Sequence, residues 1–156
     1  MTLPFSVMGL FCEDIREEKS DIVTLVGILS DNVNLLTTGS DAANSSQLAI
    51  VPKICVYVRV NFDPDYDIGQ PKARLLLPDG SEVSLGEIGT DVVEKSRADA
   101  KQRGSPLAGV LIRAVIAQFA TPPGVVRLEV TLGAETYLAA ILNLRVEAPI
   151  ASPQPS

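Results

Sequence analysis

Histidine and tryptophan are absent from this 156-residue chain, cysteine occurs twice, and aromatic residues make up only 4% of it. Each scarcity removes a class of chemistry. Without histidine there is no Ser-His-Asp triad, no Cys-His pair and no histidine-ligated zinc site. Two cysteines are too few for a four-cysteine zinc site or a disulfide framework. Few aromatics leave little on which to stack bases. Nineteen Asp and Glu against thirteen Lys and Arg, a net charge of −6, oppose phosphate binding. No nucleic-acid partner is expected. No run approaches the roughly 18 apolar residues of a membrane helix, so no membrane partner is expected either.

The apolar patch from Phe5 to Phe11 has no basic residue ahead of it, and Glu13-Asp14-Ile15-Arg16 follows closely. A secretory signal needs a basic start and a longer apolar run. The expectation is a cytoplasmic protein with reduced thiols.

What is present is a folded domain's balance, 46% hydrophobic and 21% charged. With so few aromatics, its core must be built of Val, Leu, Ile and Ala. Alternation with period two is the dominant pattern. Val126, Leu128, Val130 and Leu132 alternate with Arg127, Glu129 and Thr131. A turn at Gly133-Ala134-Glu135-Thr136 leads to Leu138, Ala140, Leu142, Leu144 and Val146, completing a predicted antiparallel hairpin. Ile54, Val56, Val58, Val60 and Phe62 make another strand, and Val7 to Cys12 a further one. Ile22 to Leu29 is apolar on both faces and predicts a buried central strand. Ala73 to Leu77 runs into the turn Pro78-Asp79-Gly80, and Ser81 to Leu85 returns.

Thr90 to Gly104 fits a helix, with Asp91 as N-cap, Glu94 as its reciprocal partner and Gly104 at its end. It fits a solvated loop as well. Val110 to Phe119 fits either a helix face or a strand, and its β-branched content favours the strand. Gly39 to Gln47 and Asp63 to Pro71 read as loops. Residues 148–156, rich in Pro and Ser, predict a disordered tail behind a single domain over 1–147. Eight or nine short strands with intervening turns indicate an all-β, antiparallel β-sandwich with one short helix near 91–103 at most.

Two segments carry a family resemblance. Leu10-Phe11-Cys12-Glu13-Asp14-Ile15-Arg16-Glu17-Glu18, followed by Val26-Gly27-Ile28-Leu29, resembles the opening of a family of uncharacterised bacterial domains that begin L-C-[DE]-[DE]-[VI]-R and continue with L-x-G. Leu75-Leu76-Leu77-Pro78-Asp79-Gly80 and the hairpin from Gly124 to Val146 are similar to that family's middle and closing strands. The resemblance implies an immunoglobulin-like sandwich and supplies no catalytic residues.

Two charged segments are candidate sites. Asp63, Asp65 and Asp67 stand at alternate positions of one loop, a spacing with which a tight turn aims oxygens at calcium. Against that, Ile68 sits where such a loop wants glycine, and Arg74 sits where it wants its closing Glu. The plainer reading is an acidic loop between strands. Glu13, Asp14, Arg16 and Glu17 form the densest cluster and read as a protein-partner surface, or as a solvated turn holding Arg16. An acid–base role for Glu13, Asp14 and Arg16 would require convergence on a pocket. Ser40, Ser45 and Ser46 have no neighbouring base, and Gly86-Glu87-Ile88-Gly89-Thr90 lacks phosphate-loop spacing. Cys12 and Cys55 read as buried thiols, with a disulfide between sheets as the alternative; the Trp that packs on an immunoglobulin disulfide is absent.

No enzyme is expected. The function expected is a non-catalytic binding or accessory module that contacts a protein partner or a second copy of itself. The alternatives are a calcium module using the 63–69 loop and a structural subunit of a larger, phage-like assembly.

Overall fold

Period-two alternation resolves, in a computed structural model that describes residues 2–36 and 48–147, into eleven strands and one α-helix among the described residues. In chain order these are β1 (Phe5–Glu17), β2 (Val23–Ile28), β3 (Asn32–Leu36), β4 (Ala49–Val51), β5 (Ile54–Phe62), β6 (Lys72–Leu76), β7 (Glu82–Glu87), α1 (Thr90–Gln102), β8 (Ala108–Ile116), β9 (Phe119–Thr121), β10 (Gly124–Leu132) and β11 (Glu135–Glu147). The predicted loop at Gly39 to Gln47 and the predicted tail at 148–156 lie outside the described residues. No helix is long and apolar enough to cross a membrane, among the described residues.

One sheet has the order β2-β1-β5-β8 and a second the order β3-β11-β10-β6-β7, while β4 and β9 pair separately. The two large sheets form a β-sandwich around one core, mainly aliphatic as expected but with Phe11 and Phe62 buried in it as well. Phe11, Val56, Val58, Val60, Phe62 and Ile112 enter it from the first sheet; Leu75, Val126, Leu128, Val130, Leu142 and Leu144 enter from the second. Gly9 marks a close approach between the sheets: a Cβ there would stand 2.7 Å from Leu128 Cδ2 and 2.9 Å from the Ala139 Cβ.

Several sequence expectations change. Ile22 to Leu29 is not a central strand: β2 is an edge strand, paired only with β1. The sandwich is not antiparallel throughout, because β3 pairs with β11 in parallel, Val33 opposite Leu144. The closing hairpin shifts register between Leu128 and Glu129, where Leu128 faces Ala140 and Glu129 faces Leu138, leaving Ala139 as the extra residue of a bulge. That one residue inverts the faces. Leu138 turns outward at 53% exposure, and Tyr137 and Ala139 pack on the core in its place. Val110 to Phe119 is two strands, with β8 ending at Ile116 and Phe119 opening β9.

Thr90–Gln102 is a helix, capped differently from the expectation. Gly89 is its N-cap and makes no side-chain capping bond. Asp91 falls in the first turn, where a carboxylate suits the helix dipole, and Glu94 pairs with Arg97 at 3.3 Å. The C-terminus ends as expected at Gly104, whose φ of 63° favours glycine. There Gly104 N–H bonds to the Lys101 carbonyl at 3.1 Å and Ser105 N–H to the Ala100 carbonyl at 2.9 Å, the paired bonds of a Schellman ending.

Candidate functional site

β1 is longer than its partner β5. The two pair from Phe5 opposite Phe62 to Cys12 opposite Cys55, and beyond that point β1 pairs only with β2. This overhanging hairpin carries Glu13, Asp14, Arg16 and Glu17. It does not run on straight. Arg113 of β8 shares a row of the sheet with Tyr57 and Leu10, and Glu17 lies seven residues past Leu10, a straight-strand distance of about 23 Å. Yet Glu17 Oε1 meets Arg113 Nη1 at 2.5 Å. The hairpin must therefore curl back over the outer face of the first sheet.

Gly27 shows where the curl begins. It faces Glu13, has a φ of 63° inside β2, and breaks the ladder between Cys12–Ile28 and Asp14–Val26. A Cβ at Gly27 would stand 2.6 Å from the Glu13 carboxylate, so the strand needs glycine for space as well as for conformation. At the far end the hairpin closes through Glu18 N–H to the Ile22 carbonyl at 2.7 Å. Ser20 and Asp21 there adopt left-handed φ values of 70° and 59°, a conformation that costs non-glycine residues about 1 kcal/mol each.

The four residues expected to form a partner surface are thus placed on one exposed hairpin, with their charges partly committed. Arg16 Nε bonds Asp14 Oδ2 at 3.1 Å, and Ile15 N–H bonds the other Asp14 oxygen at 3.1 Å. The Arg16 bond is the largest cause holding the Asp14 carboxyl below the usual range. Glu17 is held by Arg113. Both pairs are exposed and therefore loosely held. A shallow hollow lies between the hairpin tip and β8, bounded by Glu17, Asp21 and Ile22 on one side and by Leu111 and Arg113 on the other. Exposed Ile22 and Leu111 line it, and Val115, 68% exposed, lines an adjoining hollow that shares Glu17 and Arg113 with it. Glu13, Asp14 and Arg16 do not line this hollow.

Leu111, Arg113 and Val115 were not singled out by sequence reasoning. Their signal was present: they are the outward set of β8, and two of the three are too apolar for a plain solvent face. That excess is what made 110–119 ambiguous between strand and helix.

The acidic loop does different work. Asp63 Oδ1 accepts Asp65 N–H at 2.8 Å and Asp67 Oδ1 accepts Gly69 N–H at 2.9 Å, two local turns. Asp65 pairs with Lys101 of α1 at 2.7 Å, and that bond is the main reason its carboxyl titrates below the usual range. Arg97, also from α1, donates to the carbonyls of Pro64 at 2.5 Å and Tyr66 at 2.9 Å while lying 5.5 Å from the Phe62 ring centre. The three aspartates are not gathered around one point. Among the described residues no group of three or more Cys, Asp and Glu side chains is arranged to hold a metal ion. The loop's charges and carbonyls fasten the helix.

Cys12 and Cys55 are both free and buried, and neighbours in one sheet rather than partners across the sandwich. Family models, curated proteins and solved structures, compared with this chain, give no match.

Proposed function

We propose that this protein is a non-catalytic, immunoglobulin-like interaction module that contacts a protein partner, or a second copy of itself, through the curled β1–β2 hairpin and the outward face of β8. The observation that carries this reading is the exposed apolar Ile22, Leu111 and Val115 set among the charges of Glu17, Asp21 and Arg113 along two adjoining hollows. Apolar centres edged by charge suit protein contacts, the charges serving orientation and partner choice. The resemblance at Leu10 to Glu18 points to the same kind of domain.

The immunoglobulin-like assignment has support in the connections. In such sandwiches one sheet carries strands A, B, E and D and the other G, F and C, extended by C′; this chain has no strand D beside β8 among the described residues. Here β1, β5 and β8 lie side by side in one sheet, as A, B and E would. In the other, β11, β10, β6 and β7 follow the order G-F-C-C′. The helix α1 occupies the chain position between C′ and E.

Light scattering on the full chain and affinity capture from the source cells, run on the native sequence and on the Ile22→Asp/Val115→Asp double variant, test the reading. The expected result is a defined self-association, or one stoichiometric partner cross-linked through Lys19 at the hairpin tip. Either is lost in a double variant that remains folded. A strictly monomeric protein that captures nothing, or binding indifferent to both substitutions, would contradict it.

A further inference from the structure

The chain's two cysteines meet at one register position, Cys12 directly opposite Cys55 in the antiparallel β1–β5 ladder. Directly opposed residues point to the same face, with Cα atoms about 4.5 or 5.5 Å apart according to the type of pair. Both separations fall within the roughly 4.4–6.8 Å that disulfides bridge. Their face is the outer one: Val56, Val58 and Val60 belong to the core, while Cys55 and Tyr57 alternate with them. Both thiols are nevertheless inaccessible, at 0% and 1% exposure.

The curled hairpin helps to cover them. Cys55 Sγ donates to the Glu13 carbonyl at 3.7 Å, where the hairpin begins its curl. Burial, with Cys55 adding to it, pushes the Cys12 thiol above its usual range. The closed state therefore holds little Cys12 thiolate to react. Access comes through the hairpin, which has an edge strand, a left-handed turn and one exposed ion pair to Arg113 holding its tip. Such segments open locally far more often than a core unfolds.

We propose that Cys12 and Cys55 are an oxidisable dithiol, a covalent modification site whose co-reactant is a low-molecular-weight disulfide and whose product is an intra-sheet disulfide clamping β1 to β5. Opening of the hairpin lets one cysteine lose its proton and attack the external disulfide. A mixed disulfide forms, and the first external sulfur leaves as a thiol carrying that proton. The second cysteine, deprotonated in turn, attacks the protein-bound sulfur, closes the Cys12–Cys55 bond and expels the second external thiol. Two electrons and two protons pass from the protein to the external disulfide. Immunoglobulin disulfides join the two sheets through the core; this one joins neighbouring strands on an outer face, so it constrains the hairpin rather than the sandwich. The inference does not depend on the binding role of the hairpin.

The test equilibrates the full chain with glutathione buffers stepped from reducing to oxidising, then quenches with acid, unfolds, alkylates and weighs the intact protein. The expected result is direct conversion from a doubly alkylated form to one without alkyl or glutathione, about 2 Da lighter than the reduced chain. Peptide mapping then links Cys12 to Cys55. Cys12→Ser and Cys55→Ser each stop at one glutathione adduct, and Arg113→Ala speeds closure several-fold by freeing the hairpin tip. Two alkylatable thiols in the most oxidising buffer, stable glutathione adducts on the native sequence, or covalent dimers would overturn the proposal. The mass and mapping readouts on the native sequence decide it even where a serine variant does not fold.

Discussion

Arg97 shows at single-residue scale how a charged side chain can be structural in an acidic protein. Its side chain is only 15% exposed, and its guanidinium donates to two loop carbonyls while lying near Phe62. Charge-assisted bonds of this kind are worth more than neutral ones. Replacing Arg97 by Ala should lower stability in urea unfolding by about 2 kcal/mol, with α1 losing amide protection first. Tyr137 offers a spectroscopic check. Its hydroxyl donates to the Glu135 carboxylate, and that bond, with desolvation, pushes its pKa up to about 12. A raised pKa means that the bond's contribution to stability is whole below the unfolded value near 10 and is lost as pH rises through about 12. Ultraviolet titration should show one phenolate appearing near pH 12, absent in Tyr137→Phe and moved back toward 10 in Glu135→Gln. A single step near pH 10 for every tyrosine would contradict the geometry. These contacts could not be read from sequence, because Arg97 meets the loop at sequence separations of 31 and 33.

At the scale of the element, period two was enough to place most strands, and it failed where an element departs from period two or where tertiary packing reverses a face. Val126 to Leu132 keeps its core face as its alternation says, with Val126, Leu128, Val130 and Leu132 all buried, while Glu129 on the opposite face is buried too, paired with Arg74 and Arg127. Leu138 does not, because the bulge at Ala139 shifts the phase before Leu142 and Leu144 resume it. Bulges carry no reliable composition signal, so alternation could not show it. Leu142→Ala should cost about 2–5 kcal/mol in equilibrium unfolding. Leu138→Ala should stay within about 0.5 kcal/mol. Comparable losses would return Leu138 to the core. Ile22 to Leu29 failed for the other reason. A strand apolar on both faces looks central, but β2 is an edge strand of a hairpin that curls over its own sheet, so its apolar residues are half-covered rather than enclosed. The helix was legible at its end through Gly104 and obscure at its start, where backbone groups of Gly89 stand in for the expected Asp91 cap.

For the whole molecule, sandwich architecture followed from composition and strand spacing, whereas the site's completion did not. Glu13 to Glu17 was visible as a charge cluster; that it would lie over Leu111, Arg113 and Val115 depends on a curl at Gly27 opposite Glu13 and on a salt bridge between residues far apart in the chain. The central claim is that this composite surface, and not the loops at the ends of the sandwich, meets the partner. Amide hydrogen exchange on the full chain, free and in the captured or self-associated complex, tests it most directly. Added protection concentrated in residues 13–28 and 109–116 is the predicted result; protection confined to the turns at 77–81 and 132–135, or no change in either segment, would contradict it.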